Sequence, residues 1–124
     1  MAKKWIEIGI ALLFASAPSA LAHEEHGGNT PGAAAMTGEV VDVFCYMSHG
    51  EKGLGPDHAG CAKKCILGGL PVAIRSKGQL YLATMSDHTA ANQKLAEFAG
   101  KDVTVHGKVT EQEGMKFISI EHIE

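Results

Sequence analysis

Gly100-Lys101-Asp102-Val103-Thr104-Val105-His106-Gly107-Lys108-Val109, followed by Gly114-Met115-Lys116-Phe117-Ile118-Ser119-Ile120, reads as two consecutive strands. Val103, Val105 and Val109 alternate with Thr104, His106 and Lys108, the period-two pattern of a sheet with one apolar face. Glu111 to Gly114 supplies the turn, and the second strand runs from Lys116 to Ile123. Upstream, Thr89 to Ala99 carries Ala91, Leu95 and Phe98 at helical spacing and ends at Gly100, a natural helix stop. Before it lie Pro71–Ile74 and Gln79–Met85, two short strands around the turn Ser76-Lys77-Gly78. Further back, Asp57 makes an N-cap for a helix through Leu67, closed by Gly68-Gly69. Gly50 to Pro56 is turn-rich loop, and the first strand starts at Thr37. In that strand Val41, Val43, Cys45 and Met47 alternate with Val40, Asp42, Phe44 and Tyr46, so the alternation predicts a strand as far as Met47.

The order is strand, inserted helix, strand, strand, helix, strand, strand, a mainly β domain. From Thr37 to Glu124 this layout resembles the OB-fold, a five-stranded β-barrel with a helix between strands 3 and 4. The Cys/His helix is then an insertion after strand 1. The resemblance implies a barrel face of the kind that takes oligonucleotides or oligosaccharides. The composition argues against that use. Only 6% of residues are aromatic, the formal net charge is −3, and there is no basic run to neutralise phosphates, so no nucleic-acid partner is expected.

The N-terminus reads as a signal peptide over residues 1–22. Lys3 and Lys4 precede the apolar run Ile8 to Ala15, and Ala20-Leu21-Ala22 is a small-x-small cleavage site. The run is shorter than the roughly 20 residues of a membrane span. The expectation is a periplasmic or secreted protein without a membrane span after leader cleavage. Residues 23–36 lack apolar periodicity and read as a flexible leader to a domain over 37–124. Cleavage would expose His23, whose amine and imidazole are suited to Cu(II), with His26 close by.

Chemistry concentrates in the three cysteines. Cys45 closes the first apolar run, and His58, Cys61 and Cys65 stand at spacings of three and four, one stripe of a helix. Two kinds of structure use such a set. One is a tetrahedral copper or zinc ion held by Cys45, His58, Cys61 and Cys65, with Met47 or His49 able to join from a continued strand. Lys63 and Lys64 would leave positive charge nearby and favour thiolates. The other is a disulfide from Cys45 to Cys61 or Cys65, worth roughly 2–4 kcal/mol. A Cys61–Cys65 bond fits a regular helix poorly, because Cβ atoms one turn apart are about 5–6 Å apart against the ~3.8 Å a disulfide needs. A further reading is thiol redox exchange by Cys61 and Cys65, whose Cys-x-x-x-Cys spacing is similar to that of the thioredoxin-like Sco class of copper-delivery proteins, but Ile66 follows where that class has proline, and its βαβ frame is missing.

The remaining residues add little chemistry. His88, His106 and His122 read as capping or solvent-facing groups, and Tyr46 and Tyr81 as packing residues. No catalytic triad or carboxylate pair is present, so nothing argues for an enzyme. Two functions follow. The first is an exported soft-metal-binding protein for storage, transfer or sensing of copper or zinc. The second is a non-metal binding module, a disulfide-stapled barrel that contacts a protein or envelope component.

Overall fold

The computed structural model describes residues 33–124, so the expected leader and cleavage site, with His23 and His26, lie outside the described residues. Five strands form a closed barrel: β1 (Ala33–Asp42), β2 (Val72–Ser76), β3 (Gln79–Met85), β4 (Asp102–Gln112) and β5 (Met115–Ile123). Their order around the barrel is β1-β2-β3-β5-β4, with β4 returning to β1. Every pairing is antiparallel except β3 with β5. This is the mainly β, OB-like arrangement expected from the sequence.

The two hairpins follow from their turn residues. Lys77-Gly78 has φ of +50° and +76°, and Glu113-Gly114 has +54° and +81°. Two consecutive positive-φ residues make the type I′ turn, whose twist matches that of paired strands. β1 is long because it closes the barrel. Ala33 to Glu39 pairs with β4, and Glu39 to Asp42 pairs with β2. It begins at Ala33, ahead of the expected Thr37, since backbone pairing with Lys108, Gly107 and His106 needs no apolar alternation from Ala33, Ala34 and Ala35.

The barrel interior holds Val40, Val72, Ile74, Val105, Ile118 and Ile120. The segment between β3 and β4 is helical over a shorter span than Thr89 to Ala99. It consists of α3 (Asn92–Leu95) and one 3₁₀ turn (Ala96–Phe98). Ala91, Leu95, Ala96 and Ala99 plug the open end of the barrel.

The first strand departs most from expectation. It ends at Asp42, and Val43–His49 forms a helix, α1, followed by a 3₁₀ turn, Gly50–Gly53. The cause is local. Asp42 Oδ1 accepts from Phe44 N at 3.0 Å, an N-cap that satisfies a free donor of the first helical turn. Alternation of apolar residues is no barrier to this, because Cys45 is the one fully buried side chain of α1.

A second helix, α2 (Ala59–Leu67), then lies across the barrel end with Ala62 and Ile66 in the core. Its start is His58, with no side-chain cap, so Asp57 does not cap it. Asn92 Nδ2 donates to Ile66 O and Leu70 O, both at 2.8 Å, and pins its C-terminal end. Two glycines let this insertion pack closely. A Cβ on Gly53 would stand 2.8 Å from Cys45 O, and one on Gly100, at φ +71°, 2.5 Å from Gly55 O.

Candidate metal centre

The end of β1, the first turn of α1 and the exposed stripe of α2 meet at one point. Asp42 and Cys45 are three residues apart and stand on one side of α1, while Cys61 and Cys65 are four apart on α2. The sulfurs of Cys45, Cys61 and Cys65 all lie within 4.8 Å of one another. Cys45 is buried, Cys65 half-buried and Cys61 exposed, so the cluster runs from the core to the surface. All three are free thiols, and the structure contains no disulfide staple among them.

Three sulfurs each ~2.3 Å from one ion, in a trigonal arrangement, stand about 4 Å from one another. The observed cluster needs only small side-chain movements to reach that geometry. Because the donors are thiols, the set suits soft ions such as Cu(I) and Zn(II).

The other sequence candidates fall outside the cluster. His58 precedes α2 in place of lying on its stripe, and it does not share the three-sulfur envelope. Its Nε2 is nonetheless buried with no hydrogen-bond partner. Met47 and His49 depended on a continued strand. On α1 they are both exposed, Met47 at 72%, and neither joins the sulfurs.

The residue that sequence reading missed is Asp42. It is completely buried, its Oδ2 has no partner of good hydrogen-bonding geometry, and it sits against the thiols. A hydrogen bond to this carboxylate, then burial and its charge, push the Cys45 thiol far above the ordinary range. Burial first, then Asp42, raises the Cys65 thiol as well. Lys63 does not offset this, because it pairs with Glu97 at 2.7 Å. Without metal, Cys45 and Cys65 are therefore held as thiols at neutral pH. A metal must displace those protons, so its affinity rises with pH. The spacing Asp42-x-x-Cys45 carried the signal, an N-cap three residues before a buried cysteine.

No family model, curated protein or solved structure matches this chain. Functional inference therefore rests on the site itself.

Asp42→Asn keeps a capping side chain and removes the charge. Ultraviolet thiolate absorbance in the metal-free variant is expected to titrate at lower pH than in the parent. An unchanged titration would show that burial alone holds the protons.

A second group of side chains gathers at the far end of the barrel. His106, His122 and Glu124 place their ligand atoms within 4.8 Å of one another. Tyr46, half-buried on α1, packs under Arg75 with its ring centroid 5.6 Å from the guanidinium carbon. Among the described residues no helix is long and apolar enough to cross a membrane.

Proposed function

We propose that this is an exported soft-metal-handling protein that binds one ion, Cu(I) in preference to Zn(II), through Cys45, Cys61 and Cys65. The observation that carries the reading is the convergence of three free thiols from two helices within 4.8 Å. Soft thiolate ligands select Cu(I) and Zn(II). Structural zinc sites are almost always four-coordinate, and neither the His58 imidazole nor the Asp42 carboxylate joins the three sulfurs within that common distance. Three sulfurs without a fourth ligand favour Cu(I).

The graded exposure supports transfer or storage over a purely structural role. Exposed Cys61 gives an incoming or outgoing ion a first and last contact, while buried Cys45 and the Asp42 charge hold its inner side. An envelope partner that exchanges the ion would approach from the Cys61 side. The signal-peptide-like pattern of residues 1–22 is what supports export of this chemistry to the periplasm or outside the cell.

The test is a competition titration of the reduced protein with Cu(I) held by a chromophoric chelator. One equivalent withdrawn from the chelator, with all three thiols protected from alkylation, is the expected result. No withdrawal, together with a native mass two hydrogens light, would favour the stapled binding module.

A further inference from the structure

His106 and His122 sit directly opposite each other on β4 and β5, beside the register irregularity between His106 and Gly107. Irregularities of this kind re-aim side chains. The two imidazoles stack with centroids 4.1 Å apart and planes 8° apart. Their Nε2 atoms converge on one carboxylate oxygen, Glu124 Oε1, at 3.0 Å from His106 and 4.0 Å from His122. Glu124 is held in place by its own backbone, whose N–H donates to Thr104 O at 2.8 Å.

One further observation separates this group from an ordinary surface ion pair. His106 Nε2 is a buried atom without a hydrogen-bond partner of good geometry, despite the nearby carboxylate. A buried donor or acceptor left unmatched calls for an explanation, and a bound ion is one that the neighbouring imidazole and carboxylate fit. Two nitrogens and an oxygen bound to a common ion at ~2.0–2.2 Å stand about 3–3.5 Å apart. Here the nitrogens stand 3.0 and 4.0 Å from the oxygen, and the stacked rings turn out of their parallel planes for both lone pairs to meet at one ion.

We propose that His106, His122 and Glu124 form a second metal site, one that takes a borderline divalent transition ion such as Zn(II), Ni(II) or Cu(II). Imidazole with carboxylate suits these ions, whereas the thiol cluster suits softer ones. The two sites are separate. His106 pairs with Ala35 near the start of β1, and Asp42 ends that strand seven residues later, which is roughly 20 Å at ~3.3 Å per residue. Side-chain exposures of 30% for His106, 59% for His122 and 62% for Glu124 leave room for water to complete the coordination shell.

This inference is independent of the thiol site, and its test is built to stay so. Ni(II), a paramagnetic probe, is titrated into the full folded protein and into Cys61→Ser while the histidine ring resonances are followed by NMR. The expected result is saturable broadening of His106 and His122 at about one equivalent in both proteins. His122→Ala, a change at an exposed position, is expected to weaken that binding at least tenfold. Sharp His106 and His122 resonances at stoichiometric Ni(II), or unchanged affinity in His122→Ala, would overturn the site and leave the trio as a histidine–carboxylate pair.

Discussion

Replacing Cys61 by serine is expected to weaken Cu(I) binding by at least about 100-fold, beyond the 10–100-fold that loss of an outer-shell partner costs. The same substitution should leave the metal-free fold almost untouched. Cys61 is exposed and is not among the side chains packed into the core cluster, and changes at such positions stay within about 0.5 kcal/mol. Affinity and stability therefore separate in this variant. Competition titration and thermal unfolding of the same preparation check both halves. Retained affinity would remove Cys61 from the site, and with it the path by which an ion reaches the buried sulfur.

Ile66→Ala should act in the opposite order, on the fold first and on the site through it. Ile66 is completely buried and fixes α2 to the barrel, one residue beyond Cys65. Truncation of such a side chain costs about 2–5 kcal/mol from lost burial and the cavity left behind. In a domain of this size that lowers the thermal midpoint by about 10 °C or more. α2 also supplies two of the three sulfurs, so a bound ion stabilises the native arrangement by mass action. Part of the lost midpoint should return on loading with one equivalent of Cu(I). A drop of less than 2 °C, or no recovery on loading, would separate the seating of α2 from the site.

Much of the barrel was legible because its strands obey simple rules. Val103, Val105, Ile118 and Ile120 are all buried as the alternation requires, and both I′ turns fall where a glycine follows a polar residue. The site was less legible, for one physical reason. From Val40 to Met47 the alternation of side chains is compatible with a strand, and nothing in the period shows that Asp42 caps a helix there. Once the strand ends at Asp42, Met47 and His49 turn away from Cys45 and a carboxylate enters the site. His58 is the N-cap of α2, and although its backbone is helical its ring does not join the sulfurs, so the three-four stripe holds from Cys61 only. The pairing of Cys61 with Cys65 followed from helix geometry alone.

His106 and His122 read as solvent-facing positions, and both do reach the surface. Their stacking was hidden because register across a hairpin depends on the turn and on the irregularity beside His106. A sequence shows which residues alternate on one strand, but not which residue on the neighbour stands opposite.

The most direct measurement is X-ray absorption at the copper edge of the protein loaded with one equivalent of Cu(I). Expected is a shell of three sulfurs at about 2.2–2.3 Å, lost in part in Cys61→Ser. A shell of nitrogen or oxygen alone would contradict the three-thiol centre.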